Sequence, residues 1–423
     1  MIGQALYATR PEGISGEELR NALQDAFSDC IADLRKVLLL VPDYTRYHSD
    51  AGRIANMIYH MLEKTCRVDL LEAVGTHFAM SDEQLESMYG DIPKDRFIVH
   101  NWRRDVVKIG QVPKDYVAEV SEGVFCEPID VEVSKHFYEG YDLILSIGQV
   151  VPHEVVGMAN HSKNIFVGCG GSSMISSSHI LGAFYGMEQM MGRDHSPVRK
   201  VFDYAAEHFL GDLPICYALT VTTAPGGVIN LHGLFIGSER SYFEKAVALS
   251  QEKNLIFVDR PIKKIVAYLP GSEFKTTWVG NKAVYRTRMA IADGGELIVL
   301  APGIETFGED PDNDVLIRKY GYCGREKVIE LCRTQSDLGA NLSAAAHLIH
   351  GSSDGRFSIT YCVRNVTREE IEGVHFKYMP YDEAVKRYDP AVLQDGWNTL
   401  PDGEEIYFVP NPALGLWADK NRY

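Results

Sequence analysis

The chain has 423 residues, 45% of them hydrophobic and 24% charged, with a formal charge of −16 at pH 7. That is long enough for two domains and has the ordinary balance of a water-soluble globular protein. The negative charge argues against a nucleic-acid or anionic-membrane partner, yet leaves room for an anionic small substrate held by local arginine and lysine.

In chain order, KVLLLVPD (36–43) predicts a buried strand and 50–65 an amphipathic helix. RVDLLEAVGTH (67–77) predicts the next strand, and SDEQLESMYG (81–90) a short capped helix. Further strands are predicted at 96–102, 141–150, 164–171 and 216–224, with 227–237 a small hairpin or strand end. A second set opens near 262 with a strand at 263–271, a helix at 281–293 and a strand at 295–303. DVLIRKYGY (314–322), the helical stretches 325–335 and 341–351, and a strand at 357–363 follow. Strands alternating with helices predict an α/β protein with largely parallel sheets. The charged stretch 248–261 is the best seam, dividing the chain into an N-terminal α/β domain (1–258) and a C-terminal one (259–423). The expected site is a cleft between the two. Eight cysteines lie scattered without a CxxC pair, which reads as reduced cytosolic thiols. The N-terminal stretch lacks a signal-type apolar core, and no run approaches the roughly 18 apolar residues of a membrane span. The expected setting is the cytoplasm, with no membrane partner.

Ligands of parallel α/β folds sit beyond the carboxyl ends of strands, which singles out a few polar residues. Asp43 and Arg46 follow the strand at 36–42, and Gly75-Thr76-His77 ends the strand that begins at 67. His153 follows Pro152, Lys163 comes ten residues later, and His179 sixteen beyond that. Lys282 lies twelve residues before Gly294. His77 and His153 suit acid–base work, because imidazole titrates near neutral pH. Arg46 and Lys282 suit a carboxylate, Lys163 a covalently held cofactor, and His179 a metal. Each also has a plainer reading. Asp43 would cap the following turn or orient Arg46, a lysine in a Gly/Ser-rich loop would be solvated, and a single histidine would be a satisfied polar residue.

Taken together, these residues resemble the nickel-pincer nucleotide lactate racemase family. The family's S-x-D-H-T-R-P loop corresponds to VPDYTRYH here, and its G-x-H-R-P strand end to VGTHFAM. Its S-H-F-F-A-G-F-S-G-G-R-K segment corresponds to PHEVVGMANHSK, with matching intervals from His153 to Lys163 and from Lys163 to His179. A Q-x-x-K motif ahead of a K-E-G-G-T-I-I strand corresponds to Lys282 ahead of GGELIVL, and the likeness runs on to LPDGEEIYFVP near the end. The resemblance implies a racemase or epimerase inverting C2 of a 2-hydroxy acid by hydride transfer. Lys163 would carry the cofactor, a pyridinium-3-thioamide-5-thiocarboxylic acid mononucleotide with nickel, and His179 would be the nickel's protein ligand. His77 and His153 would be the two bases, Arg46 and Lys282 would bind substrate, and Asp43 would support them. Separate maturation enzymes would be needed as partners to make the cofactor.

The chain departs from the pattern at Phe78-Ala79 in place of Arg-Pro and at Asn160-His161-Ser162 in place of Gly-Gly-Arg. Val279 replaces the glutamine of Q-x-x-K, and Leu342, beside Asn341, falls where the lactate enzyme has its active-site tryptophan. Cofactor and base positions are kept while substrate-contacting ones differ, so the expected substrate is a 2-hydroxy acid other than lactate. The alternatives are a Schiff-base or pyridoxal phosphate enzyme using Lys163, a zinc hydrolase using His77, His153 and His179, and a non-catalytic protein that binds a hydroxy acid or nucleotide. His161 has no role assigned at this level: contact with the anchor's surroundings and proximity to a phosphate are both open.

Overall fold

A computed structural model describes residues 2–413 and 415–423. The chain forms two compact units. One runs through Ser178 and resumes over Met190–Asn254; the other comprises His179–Gln189 and Leu255–Tyr423.

In the first unit the strands are β1 (Gln4–Tyr7), β2 (Lys36–Val41), β3 (Arg67–Glu72), β4 (Phe97–Val99), β5 (Val106–Val112), β6 (Ile129–Ser134), β7 (Leu143–Gln149), β8 (Pro152–His153), β9 (Gly157–Met158), β10 (Ile215–Thr223) and β11 (Asn230–Gly237). Seven of them make one sheet, ordered β1-β11-β10-β7-β2-β3-β4. The five strands from β10 to β4 are parallel, and β11 and β1 close one side antiparallel. Val37 to Val41 and all of β7 are buried, as expected of strands covered on both faces. From β2 the chain proceeds outward to β3 and β4, whereas β7 and β10 lie on the other side of β2. The carboxyl ends of β2 and β7 therefore flank the point where the winding reverses, the place such sheets reserve for ligands. The β5–β6 and β8–β9 pairs are separate antiparallel hairpins, and the first of them is not apparent in the sequence pattern.

Local chemistry explains the helix boundaries. Ser15 and Ser81 each form a capping box, with Glu18 and Gln84 respectively, opening the helices Gly16–Phe27 and Asp82–Tyr89. The helix Ala51–Leu62 buries Ile54, Ala55, Ile58, Tyr59 and Leu62 in the core on one side of the sheet.

In the second unit the strands are β12 (Leu255–Val258), β13 (Ile262–Tyr268), β14 (Ile291–Leu300), β15 (Ser358–Val363), β16 (Lys377–Pro380), β17 (Gly396–Thr399), β18 (Glu405–Val409) and β19 (Leu416–Asp419). Its main sheet runs β16-β15-β14-β13-β18-β17 and is parallel except for β17. The expected fold class holds: both units are α/β with largely parallel sheets. Among the described residues, no helix is long and apolar enough to cross a membrane.

Two predicted elements differ. The apolar run 164–171 is not a strand: Asn164–Gly168 is a π-helix, continuing a helical turn that begins at Ser162. Ile165 to Gly168 are all buried, and a short apolar run buried on every side carries no periodicity to separate strand from helix. The helix predicted over 281–293 stops at Thr287, and Ile291 already belongs to β14.

Gly52 sits near the start of its helix, where a Cβ would lie 1.9 Å from the Met88 carbonyl oxygen. Alanine usually stabilises a helix relative to glycine, but here the sign reverses. Gly52→Ala is expected to cost about 1–3 kcal/mol through overpacking, seen as a lower thermal unfolding midpoint.

Candidate functional site

Asp43 ends β2 and caps the 3₁₀ segment Tyr44–Ser49, accepting from the Thr45 amide at 2.8 Å and from the Thr45 hydroxyl. The segment is tied down along its length. Tyr89 donates to the Pro42 carbonyl, and the hydroxyls of Thr222 and Thr220 on β10 donate to the carbonyls of His48 and Ser49, both at 2.7 Å. Arg46 leaves helical geometry (φ −109°, ψ 24°) and donates to the Thr45 hydroxyl at 2.8 Å.

The turn after β3 brings His77 to the same place. Gly75 adopts φ +57°, which suits glycine, and its amide donates to the Gly168 carbonyl at 2.9 Å. His77 then directs Nδ1 to Asp43 Oδ2 at 3.0 Å. Burial alone would raise the Asp43 carboxyl, but His77, Arg46 and Thr45 outweigh it and hold the group well below the usual carboxylate range. An ionised Asp43 accepts the Nδ1 proton of His77 and leaves Nε2 with an open lone pair.

His153 follows β7 on the β8–β9 hairpin and is buried. Gly157 allows the hairpin to close: at φ +87°, a Cβ there would lie 2.2 Å from the Arg193 carbonyl oxygen. The ring of His153 is set the opposite way to that of His77. Its Nδ1 accepts the Val155 amide at 3.1 Å, which places the neutral ring's proton on Nε2. The Glu154 carboxylate lies 3.7 Å from the same Nδ1.

Lys163 is half-buried at the start of the π-helix. Burial, reinforced by Arg46 and Arg199 and opposed by Glu154 and Asp43, brings its amine down to about 8. This is not a solvated surface lysine. The first unit therefore brings Asp43, Arg46, His77 and Lys163 together electrostatically, with His153 on the adjoining strand end.

His179 and Lys282 belong to the second unit. His179 is half-buried on the helix Ser172–Tyr185. Lys282 opens the helix Lys282–Thr287, whose cap residue Asn281 is held by the Tyr361 hydroxyl at 2.7 Å. Beneath it lies a buried polar group: Tyr322 bonds both Thr277 and His347 at 2.9 Å, and His347 stacks on Trp278 with centroids 4.2 Å apart. Of the departures, Phe78 is 73% exposed beside His77, whereas Leu342 begins the helix Leu342–His350 capped by Asn341. Among the described residues no group of three or more His, Cys, Asp or Glu is placed to hold a metal.

Sequence reasoning missed Arg199 and gave no structural role to Ser162, Glu154 or Thr45. Ser196-Pro197 is a legible helix start, but nothing in the local pattern marks Arg199 as buried. His161 now has a place. It is buried between Tyr217 and Phe243, so it is packing for the loop that carries Lys163.

The chain is similar to known proteins in sequence over its first half and in fold over nearly its whole length. Residues 8–192 match the family model described as the lactate racemase N-terminal domain. Among solved structures, a protein from Thermotoga maritima superposes with a TM-score of 0.83 at 24% identity, over 98% of this chain and 100% of that one. The lactate racemase apoprotein from Thermoanaerobacterium thermosaccharolyticum superposes with a TM-score of 0.70 at 14% identity, over 98% and 99% of the two chains. At these identities the likeness is one of fold. The curated proteins give no match.

The two site histidines should hold opposite tautomers when neutral. Long-range proton–nitrogen correlation spectra at mildly alkaline pH should show the proton on Nδ1 of His77 and on Nε2 of His153; the same tautomer at both would contradict the assignment.

Proposed function

We propose that this chain, whose residues 8–192 match the model of the lactate racemase N-terminal domain, is a racemase or epimerase that inverts C2 of a 2-hydroxy acid other than lactate. It would use a nickel-pincer nucleotide held covalently by Lys163. The observation that carries the reading is a lysine amine at about 8 in the same electrostatic environment as the Asp43–His77 pair.

The residues fit the group. A lysine with a lowered pKa has a reactive neutral amine for an amide-type bond. His179 as a single protein ligand fits a nickel whose other donors come from a sulfur-bearing nucleotide. The described residues offer no three-ligand set of the kind a zinc hydrolase needs. When bound, the group supplies a hydride acceptor for the hydrogen on C2, the step that protein side chains cannot perform.

The remaining work belongs to the chain. Arg46 would grip the substrate carboxylate at two points through its planar guanidinium, and by the family resemblance Lys282 would also bind substrate. His77 would take the hydroxyl proton on Nε2, and Asp43 would stabilise the resulting imidazolium through Nδ1. His153 presents Nε2–H to the oxygen of the flat keto acid. To deliver that proton it needs a second one at Nδ1, where the Glu154 carboxylate is the available partner. For the other enantiomer to use the reverse roles, the His153 proton would have to sit on Nδ1, toward Glu154, in place of the Val155 amide contact. Hydride removal suits this substrate class, because an α-hydrogen beside a carboxylate is too weakly acidic for ready proton abstraction. The changes at Phe78, Ser162, Val279 and Leu342 support a substrate different from lactate.

Protein produced in a host that makes the cofactor should carry an adduct on Lys163 and about one nickel per chain, by intact-mass and metal analysis. An unmodified, nickel-free protein from that host would refute the reading. Deuterium at C2 should slow turnover and be largely retained in the inverted product; wash-out into solvent would point to proton abstraction instead. His77→Ala and His153→Ala should each lower inversion by about 10²–10⁴-fold while nickel stays bound.

The lowered amine would equally suit a Schiff-base enzyme. Borohydride trapping of a carbonyl substrate on Lys163 would favour that second reading.

A further inference from the structure

The turn that leads into Lys163 is costly to form. Asn160 and His161 are consecutive non-glycine residues at φ +66° and +56°, a conformation that needs support from its surroundings. Part of that support is local: the Asn160 side chain accepts the His161 amide at 2.7 Å. Gly148 on β7 leaves room for Asn160, since a Cβ there would lie 2.3 Å from Asn160 Nδ2. The His161 ring is stacked between Tyr217, with centroids 4.1 Å apart, and Phe243, at 4.9 Å. Burial, with Arg199 and Arg240 nearby, holds that ring far below its ordinary pKa and therefore neutral.

The rest comes from the helix Pro197–Phe209. Arg199 is fully buried, with its guanidinium 4.5 Å over Phe243. Its Nη2 donates to the carbonyls of Met158 at 2.7 Å and Asn160 at 3.2 Å, and its Nη1 donates to the Ser162 hydroxyl at 2.8 Å. Three residues are thus gripped: one before the turn, one within it, and the one immediately preceding Lys163. Ser162 in turn donates to Asp203 at 3.2 Å, Asp203 accepts from Arg240 at 3.0 Å, and Arg240 pairs two-pronged with Asp194 at 2.8 and 2.9 Å. Position 162 is where the family pattern has arginine; this chain has serine there and brings a guanidinium to it from another helix.

We propose that Arg199 is a positioning residue for Lys163, clamping the left-handed Asn160–His161 turn and Ser162 so that the amine is held against Arg46 and Asp43. The inference rests on the reading of Lys163 as the cofactor's attachment point. The clamp acts on reactivity in two ways. It keeps the amine out of water, and it adds a second cation to Arg46, while Glu154 and Asp43 pull the other way.

The test uses the full-length cofactor-free protein and the acetyl ester of N-hydroxysuccinimide, with acetylation of Lys163 followed by peptide mass spectrometry. The neutral amine displaces N-hydroxysuccinimide and loses a proton, so the rate should rise as pH increases through about 8. In Arg199→Met the midpoint should move toward the free-lysine value, and the rate at about pH 7.5 should fall at least about threefold, because each unit of pKa is tenfold in neutral amine. Arg199→Lys keeps the charge but loses the planar fork, and should shift the midpoint in the same direction by less. It decides the matter if the methionine variant does not fold. A folded variant with the wild-type midpoint would overturn the proposal, since a role in stability alone leaves that midpoint in place. Failure of the attachment reading shows differently, as wild-type Lys163 without an adduct in a cofactor-making host.

Discussion

A carboxylate removed from water remains ionised only where cations and hydrogen-bond donors replace its hydration, and Asp43 meets that condition with little margin for rearrangement. His77, Arg46 and Thr45 together outweigh the burial of the group. Each of these contacts is also a constraint on its partner. The carboxylate selects the tautomer of His77 and engages both the amide and the hydroxyl of Thr45, which in turn accepts from Arg46. Even the backbone on either side is pinned, by Tyr89 at Pro42 and by β10 at His48 and Ser49. Removing one negative charge would therefore undo an arrangement rather than a single bond, as coupled polar groups in a low-dielectric setting generally behave.

The sheet supplies the second requirement. Because winding reverses between β2 and β7, the residues that follow these strands emerge side by side although about a hundred positions separate them in sequence. His77 arrives from β3, the next strand along. The turn at Gly75 and the π-helix after Lys163 are joined by a backbone hydrogen bond, so His77 and Lys163 hang from neighbouring, linked stretches of backbone.

Much of this was legible from sequence because strand ends with a polar residue after an apolar run are local signals. The strands at 36–41, 67–72 and 143–149 fall within their predicted stretches, the strand at 215–223 starts one residue ahead of its own, and the capping box at Ser81 marks its helix correctly. The failures have a common cause. NIFVG was read as a strand because short, wholly buried runs have no periodicity, and the tertiary setting decides between extended and helical. The helix over 281–293 was drawn too long because apolar spacing continues across the start of β14. Arg199 was invisible, since burial of a cation is decided by carbonyls and a hydroxyl contributed from forty residues away. His161 could not be resolved for the same reason: its stacking partners, Tyr217 and Phe243, are distant in sequence.

The π-helix has a consequence for how this loop can change in evolution. A π-turn contains one residue more than an α-turn, so loss of a single residue within 164–168 would let the segment relax to ordinary α-helix. Because the extra residue is held within a single turn, the residues on either side would keep nearly their present facing. A change of one residue in length can therefore be absorbed within the turn itself, whereas the burial of Ile165 to Gly168 restricts what can be substituted there.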